Sequence, residues 1–180
     1  MLNFKNKVVV ITGGTRGIGF ETAKAFLEKK ASVIILGSRQ ESVVKAINKL
    51  SDLGHTADGY FPNLNNYEEV ENLFNDLKEK YGKIDVLINN AGISANKKIE
   101  DTTSEEFSKI MDINVNAIFN TSKAVTPIMK EQNGGVILNT SSMVSRYGQP
   151  SGVGYPASKF AVNGITKSLA RELAPFNIRV

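Results

Sequence analysis

Two kinds of segment alternate along this chain: short apolar runs rich in β-branched residues, and longer stretches with apolar residues at helical spacing. The first run, Lys7 to Ile11, is almost wholly apolar, as expected for a strand of a parallel sheet that is covered on both faces. Repeated strand–helix–strand units favour right-handed crossovers. The alternation therefore predicts an α/β fold, a Rossmann-type doubly wound parallel sheet with helices on both faces.

The boundaries of the elements follow from the same pattern. The predicted strands cover 7–11, 32–36, 57–61, 84–88, 136–138 and 177–180. Long helices are predicted from Ser104 to Gln132 and from Tyr155 to Ala174, and Pro175 ends the second of them. In the first long helix, the residues predicted to face the core are Phe107, Ile110, Met111, Val115, Ile118 and Phe119.

Composition removes several kinds of chemistry. The chain has no cysteine and one histidine, His55, in a predicted surface turn, so a thiolate metal site is excluded and a Ser-His-Asp triad is not expected. The net charge of +4 is spread along the sequence, unlike the basic stripe of a nucleic-acid-binding protein. No apolar run approaches the ~18 residues of a membrane helix, and no signal peptide is evident. We predict a cytoplasmic protein with no metal, nucleic-acid or membrane partner.

A glycine-rich loop follows the first predicted strand and opens the next helix. Such a loop lets a pyrophosphate approach backbone amides at a helix N-terminus. Side chains at Gly13 and Gly17 would obstruct that approach, and Gly19 lets the helix pack closely on the sheet. The position of the loop between a buried strand and an amphipathic helix therefore predicts a dinucleotide site. The predicted contacts in the loop are Gly13, Thr15, Arg16, Gly17, Ile18 and Gly19.

The end of the second strand predicts which dinucleotide is bound. An acidic residue here usually binds the adenosine ribose of NAD. This chain instead reads Leu36-Gly37-Ser38-Arg39, with no carboxylate. Arg39, next to Ser38, and Arg16 could bind a 2′-phosphate through forked hydrogen bonds. We therefore predict NADP(H) as the cofactor, and two solvated arginines are the alternative interpretation.

Polar residues follow two further strands. Asn63 and Leu64 come after the third predicted strand, and Asn90-Ala91-Gly92 come after the fourth. Ligands of open α/β sheets bind outside the carboxyl ends of the strands. We predict that Asn90, Ala91 and Gly92 contact the cofactor near its adenosine ribose and that Asn63 and Leu64 border the adenine. Polar turns that merely end the strands are the alternative.

A phenol and an amine stand four residues apart at the start of the last long helix. Tyr155 and Lys159 share a helix face, and Pro156 suits the first turn. An ammonium group near a phenol favours transfer of the phenolic proton. Ser141 and Ser142 follow the fifth strand, where a hydroxyl can bind a substrate oxygen as charge develops. Of these two serines, we predict that Ser142 acts on the substrate.

Over about Lys7 to Val180, the chain closely resembles the short-chain dehydrogenase/reductase family. The resemblance lies in the order and spacing of three motifs: Thr-Gly-x-x-x-Gly-x-Gly, Asn-Asn-Ala-Gly and Tyr-x-x-x-Lys. The resemblance implies that Tyr155 is the general acid and base and that Ser142 orients the substrate. It implies that Lys159 also binds the nicotinamide ribose, so that Tyr155 and Lys159 both contact the cofactor. Asn114 matches the family asparagine whose helix kink holds a proton-relay water.

The resemblance also implies an activity, the NADP(H)-dependent interconversion of a ketone and a secondary alcohol by hydride transfer. The chain is similar in character to bacterial 3-oxoacyl-acyl-carrier-protein reductases of fatty acid biosynthesis. Hydroxysteroid, sugar and polyol dehydrogenases share every motif and are alternatives. Segments 130–133 and 175–177 are nearly neutral, which disfavours an acidic carrier protein as the substrate. A non-catalytic dinucleotide sensor would be expected to lack the tyrosine or the lysine, and both are present.

The last residues raise an expectation about the domain. A strand beginning at Ile178 would be cut off after three residues. We therefore expect 1–180 to form a single dinucleotide-binding domain that is C-terminally incomplete, without its substrate loop and last strands. Members of the family usually form dimers or tetramers through the two long helices. A homodimer or homotetramer that acts on a small molecule is therefore expected.

Overall fold

The computed structural model describes residues 3–180, which form a parallel sheet between two layers of helices. The strands are β1 Val8–Thr12, β2 Ser32–Leu36, β3 Asp58–Tyr60, β4 Val86–Asn89, β5 Gly135–Asn139 and β6 Ile178–Arg179. The helices are α1 Gly17–Glu28, α2 Gln40–Asp52, α3 Tyr67–Tyr81, α4 Ser104–Met111, α5 Ala117–Glu131, α6 Val144–Tyr147 and α7 Gly154–Leu173. A π-helical segment, Asp112–Asn116, joins α4 to α5. Short 3₁₀ turns cover Ile99–Asp101 and Ala174–Phe176.

The strand order is β3-β2-β1-β4-β5-β6, and the pairings along the sheet are parallel. The chain moves outward from β1 to β3, then returns to the other side of β1 with β4. This reversal opens a crevice at the carboxyl ends of β1 and β4, where Thr12 pairs with Asn89. The predicted doubly wound α/β fold is confirmed, and the strand boundaries differ from the predicted ones by a few residues at most.

Each face of the sheet has its own apolar core. On one face, Val10 and Leu87 pack with Phe74 of α3 and Met129 of α5. On the other face, strand residues pack with α1 and α2. The buried members of that second core are Val9, Ile11, Ala23, Leu27, Ala31, Val33, Ile35, Ala46, Leu50, Val86 and Ile88. Because consecutive strand residues point to opposite faces, an unbroken apolar strand supplies both cores.

The predicted helical segment from Ser104 to Gln132 is present as far as Glu131, with a π-helical turn at Asn114, where the resemblance implies a kink; part of its predicted buried face is wrong. Ile110 and Ile118 are buried as predicted, but Phe107 is 37% exposed and Phe119 is 55% exposed. The π-helical segment interrupts the α-helical hydrogen bonds, and its wider turn rotates the residues beyond it around the helix axis. A periodicity of 3.6 residues therefore cannot be carried from α4 into α5. Phe107 lies before the π-helical segment, in the middle of α4, and its ring is beside Gly154 of α7.

No helix within residues 3–180 is both long enough and apolar enough to cross a membrane. Over the same residues, no group of three or more His, Cys, Asp and Glu side chains could hold a metal ion.

Candidate active site

The glycine-rich loop joins the end of β1 to the start of α1 through close backbone contacts. Gly13 has φ 65° and Gly17 has φ 54°, both in the left-handed region that favours glycine. A Cβ at Gly13 would lie 2.9 Å from Ala91 Cα. A Cβ at Gly19 would overlap the Gly13 carbonyl oxygen and lie 2.6 Å from Asn90 Nδ2. Gly13 is therefore required by space and by its φ, Gly19 by space alone, and Gly17 by its φ alone.

The loop leaves the N-terminus of α1 open to a ligand. Arg16 occupies the N-cap position in an extended conformation and makes no side-chain capping hydrogen bond. The first amides of a helix have no partner within the helix, and together they favour an anion. The backbone of this loop can therefore hold a phosphate group.

Thr12 ties the end of β1 to the segment after β4. Its buried hydroxyl oxygen accepts hydrogen bonds from the amides of Asn90 and Ala91, both at 3.0 Å. Asn90 Nδ2 in turn donates to the carbonyl oxygens of Thr12, at 3.3 Å, and Gly13, at 3.2 Å. Thr12 was not among the predicted contacts, although a threonine that ends an otherwise aliphatic buried strand was a usable signal. Its role is to hold the two edges of the crevice together.

A cleft of about 800 Å³ lies over the carboxyl ends of β1 to β4. The predicted cofactor contacts that line it are Gly13, Thr15, Arg16, Gly17, Ile18, Ser38, Asn63, Leu64, Asn90, Ala91 and Gly92. Residues that sequence reasoning missed also line it, among them Gly37, Phe61, Ile93 and Ile113. Gly19 lies behind the loop and is buried. Arg39 is exposed at the N-cap of α2 and is not part of the cleft wall.

The loop after β3 is held by two neighbouring helices. The Asn63 amide donates to Glu69 Oε2 of α3 at 2.9 Å, and Asn120 Nδ2 of α5 donates to the Leu64 carbonyl at 2.9 Å. Asn120 is buried, so its amide is committed to this contact. The sequence offered no signal for Asn120, because the contact joins residues far apart in the chain.

Tyr155 and Lys159 lie on one face of α7, as predicted. Lys159 Nζ is 5.7 Å from the centroid of the Tyr155 ring and donates a hydrogen bond to the Thr140 carbonyl at 2.7 Å. The lysine is 4% exposed, and this burial lowers the pKa of its ammonium group. A lysine ammonium has three hydrogens, so two remain for other partners. Tyr155 is half-buried.

Ser141 and Ser142 have different environments although they are adjacent. Ser141 Oγ donates to Asn163 Oδ1 of α7 at 2.7 Å. Ser142 Oγ accepts a long bond of 3.4 Å from the Val144 amide, its one hydroxyl contact among residues 3–180. The hydroxyl proton of Ser142 is therefore available to a ligand, whereas that of Ser141 is committed to the protein.

Asn114 lies in the π-helical segment and is fully buried. Its Oδ1 accepts from the Ile93 amide at 2.8 Å, and its Nδ2 donates to the Ile93 carbonyl and to Ser158 Oγ, both at 2.9 Å. A Cβ at Gly92 would lie 3.2 Å from Asn114 Oδ1 and 3.7 Å from Lys159 Nζ. The segment after β4, the π-helical segment and α7 therefore converge beside the cleft.

Comparison with known proteins decides the family. A sequence model of the family described as short chain dehydrogenase matches residues 7–180. The chain belongs to this family. The resemblance drawn from the motifs is confirmed, and the protein is an oxidoreductase of the short-chain dehydrogenase type with a nicotinamide dinucleotide cofactor.

Individual relatives differ in their named substrates. The chain is 58% identical over 178 residues to a 3alpha-hydroxysteroid dehydrogenase of Mediterraneibacter gnavus, covering 98% of this chain and 71% of that protein. It is 35% identical over 179 residues to the 3-oxoacyl-acyl-carrier-protein reductase FabG of Thermotoga maritima, covering 99% and 73%. An NAD+-bound xylitol dehydrogenase superposes with a TM-score of 0.94 at 35% identity, covering 99% of this chain and 69% of that one.

The residues of the cleft fit such a dinucleotide. The loop after β1 has no room for a side chain at Gly13, so its backbone is the surface offered to the ligand. The cleft runs from this loop past Ser38 and Asn63 on one side and to Gly92 on the other. Gly92 also adjoins the buried Lys159, so a ligand lying along the cleft extends from the helix N-terminus toward the Tyr155 and Lys159 pair.

Proposed function

We propose that this protein interconverts a secondary alcohol and a ketone on a hydroxysteroid, using NADP(H). The observation that supports the chemistry is the buried Lys159 ammonium beside Tyr155, next to Gly92 in the wall of a cleft that reaches a helix N-terminus. When bound, the dinucleotide accepts the hydride in alcohol oxidation or supplies it in ketone reduction.

Each site residue has a proposed role in that reaction. Tyr155 takes the alcohol proton during oxidation and returns it during reduction, and the Lys159 ammonium stabilises the phenolate that forms. Lys159 also binds the nicotinamide ribose with its remaining hydrogens. Ser142 donates its unused hydroxyl proton to the substrate oxygen as negative charge develops there. Asn114 keeps Ile93 and the adjoining Gly92 in place and, as in the family, lies in the kink that would hold a proton-relay water.

Two observations support a hydroxysteroid as the substrate. The first is the 58% identity to a 3alpha-hydroxysteroid dehydrogenase, against 35% for the carrier-protein reductase. The second is a pair of exposed apolar side chains in the segment after Ser142: Met143, just before α6, is 79% exposed, and Tyr147, the last residue of α6, is 82% exposed. Such side chains suit a flat apolar ring system, and burying them against one is favourable. A 3-oxoacyl thioester and a polyol are the alternative substrates.

Turnover by the purified full chain tests this assignment. We expect oxidation of 3α-hydroxysteroids to be faster than reduction of a 3-oxoacyl thioester or oxidation of xylitol. Tyr155→Phe is expected to lower kcat by about 10²- to 10⁴-fold and to leave the cofactor dissociation constant unchanged. Tyr67→Phe removes an exposed phenol that is bonded to Glu71 and serves as the matched control. Unchanged turnover by Tyr155→Phe would remove the phenol from the mechanism.

The proposal of NADP(H) depends on charge at the end of β2. Ser38 and Arg16 line the cleft there, and Arg39 follows directly. The acid that lines the cleft is Glu69, and its carboxylate already accepts from the Asn63 amide and from Asn66 Nδ2. A 2′-phosphate would therefore meet the Arg16 guanidinium and no free carboxylate in the cleft wall, and we propose the exposed Arg39 as its second partner.

A substitution at Arg39 tests whether the protein prefers NADPH to NADH. A charge-assisted hydrogen bond contributes roughly 1.5–3 kcal/mol, so Arg39→Ala should raise the NADPH dissociation constant at least about tenfold. The NADH dissociation constant should stay within about twofold, because NADH has no phosphate at this position. Calorimetric titration with both cofactors measures the effect, and tighter binding of NADH than NADPH by the unsubstituted protein would reverse the assignment.

We also propose that the protein is a homodimer or homotetramer through α4–α5 and α7. Phe119 and Phe160 are exposed on these helices, and Phe119, Pro127 and Leu169 line a groove of about 600 Å³ between α5 and α7. A second copy that covers these rings would remove apolar area from water. Light scattering should give the mass of two or four chains, and Phe119→Glu should shift it toward one. A monomer at micromolar concentration would contradict this proposal.

A further inference from the structure

A polar cluster lies behind Ser142, between the end of β5 and α7. It consists of Ser141, Ser145 and Asn163, here called the serine bracket. Asn163 follows Lys159 by one turn of α7 and Tyr155 by two turns, so these three side chains share one face of the helix. The motifs of the sequence assign no role to Asn163.

The hydrogen bonds of the serine bracket form a directed chain. Ser141 Oγ donates to Asn163 Oδ1 at 2.7 Å, and Asn163 Nδ2 donates to Ser145 Oγ at 2.9 Å. Ser145 Oγ donates to the backbone carbonyl of Ser142 at 2.6 Å. Ser145 is buried, and no buried side-chain nitrogen or oxygen in residues 3–180 lacks a partner. The Asn163 amide thus binds Ser141, the residue before Ser142, and also Ser145, whose hydroxyl binds the Ser142 carbonyl.

The bracket acts together with Lys159 on the same segment. Lys159 Nζ holds the Thr140 carbonyl, and Asn163 holds the Ser141 hydroxyl, so α7 fixes this segment at two successive residues. Ser142 follows directly, with its carbonyl bonded and its own hydroxyl uncommitted. The helix that carries Tyr155 therefore also sets the position of the Ser142 backbone.

We propose that Asn163 is a positioning residue that sets the Ser142 hydroxyl relative to Tyr155. The inference depends on the proposed function, in which both groups act on one substrate oxygen. Asn163 does not touch the substrate and acts through Ser141 and Ser145. Productive geometry must be held within about 0.5 Å, and a displacement of about 1 Å can cost about a hundredfold in rate. Loss of the bracket should therefore lower kcat and leave cofactor binding intact.

Asn163→Leu tests the inference, because leucine has a similar size and removes both hydrogen bonds. We expect kcat to fall at least about tenfold while the cofactor dissociation constant stays within about twofold. Asn163→Asp keeps the acceptor for Ser141 and loses the donor to Ser145, and it should give a smaller loss of kcat. Ser141→Ala removes the 2.7 Å bond to Asn163 together with a longer 3.3 Å contact with Ser145 Oγ, and provides a second variant if Asn163→Leu folds poorly. Its kcat should also fall.

The matched control is Thr166→Val. It removes the 3.0 Å hydrogen bond from Asn139 Nδ2 to Thr166 Oγ1, another polar link between β5 and α7, farther from Tyr155. A purely structural role for Asn163 would give Asn163→Leu and Thr166→Val the same kcat at equal thermal stability. That result would overturn the inference.

A double-mutant cycle with Ser142→Ala identifies the path of the effect. If Asn163 acts through Ser142, Asn163→Leu should not reduce the residual kcat of Ser142→Ala further. Multiplicative losses would overturn the inference. Failure of the proposed function is distinguishable, because it requires Tyr155→Phe or Ser142→Ala to retain full turnover. If Tyr155→Phe and Ser142→Ala both lose turnover but Asn163→Leu has the same kcat as Thr166→Val, the proposed function stands and only the positioning role of Asn163 is overturned.

Discussion

The two halves of the cleft are built by different means. The half over β1 to β3 is formed mainly by backbone, because glycines bring the loop after β1 against α1 and against Ala91. The half beside β4 is supported from behind by buried polar side chains, among them Asn114, Ser158 and Lys159. One half offers amides and space, and the other offers positioned side chains.

This difference separates the ways in which each half can fail. A backbone surface tolerates no extra atoms, so its substitutions act through steric overlap. A network of buried polar side chains tolerates no missing partner, because an unsatisfied buried group retains its full desolvation cost. The cofactor half should therefore respond to added methyl groups, and the catalytic half to lost hydrogen bonds.

The largest expected effect is in the catalytic half. Asn114→Ala removes three hydrogen bonds and leaves the amide and carbonyl of Ile93 without their partner. We expect the free energy of unfolding to fall by about 3 kcal/mol, as measured by urea denaturation. Asn48→Ala, on the exposed face of α2, is the matched control and should change it by less than about 0.5 kcal/mol. Equal values for both variants would break the distinction between the halves.

In the cofactor half, Gly19→Ala adds one methyl group that would overlap the Gly13 carbonyl oxygen. We expect a loss of about 2 kcal/mol in the free energy of unfolding. The loop must also move, so the cofactor dissociation constant should rise at least about tenfold. Fluorescence titration with NADPH checks the second effect. Unimpaired binding by Gly19→Ala would show that the close backbone contact is not needed.

Lys159 gives a prediction for the dependence of stability on pH. Burial lowers the pKa of Lys159 in the folded state below 10.5, the ordinary value that it has in the unfolded state. At a pH between the lowered pKa and 10.5, the unfolded state therefore binds more protons than the folded state. The free energy of unfolding of the unsubstituted protein should therefore rise with pH relative to Lys159→Met as pH approaches 10.5, and the difference should become constant below the lowered pKa. Paired denaturation curves measure this difference, and a flat or opposite trend would contradict the assigned burial.

The smallest expected effect is a gain. Gly164 lies within α7, and a Cβ there would meet no atom within 4 Å. Gly164→Ala should raise the free energy of unfolding by about 0.5–1 kcal/mol, because alanine loses less conformational entropy in a helix. Thermal unfolding measures the gain. Together with Gly19→Ala it sharpens the comparison, because the same added methyl group should raise the free energy of unfolding at Gly164 and lower it at Gly19.

Much of the cofactor half could be predicted from sequence because its signals are local. The loop from Gly13 to Gly19 is continuous, and its position after an apolar strand specifies which helix it opens. Lining residues such as Phe61 and Ile113 were missed because they enter the cleft from separate elements. Arg39 was predicted from its sequence distance to the loop, and its exposed position at the start of α2 leaves its contact with the cofactor a prediction.

The catalytic half was predictable only in part. The spacing of Tyr155 and Lys159 placed them on one helix face, and the structure has them there. The π-helical segment around Asn114 was not predicted from the hydrophobic pattern, which indicated one continuous helix. Phe119, which lies beyond this segment, was consequently assigned to the core although it is exposed, and Phe107, which lies before it, was also assigned there although it is partly exposed.

The sequence by itself determined the order of the elements, the parallel sheet, the glycine-rich loop and the helix face that carries the phenol and the amine. These depend on periodicity and on neighbours within a few residues. Only the tertiary structure decided that Thr12 binds Asn90, that Asn120 holds Leu64 and that Asn163 supports the segment before Ser142. Each of these contacts joins residues distant in the chain, and a polar side chain has no partner until the packed fold has brought one to it.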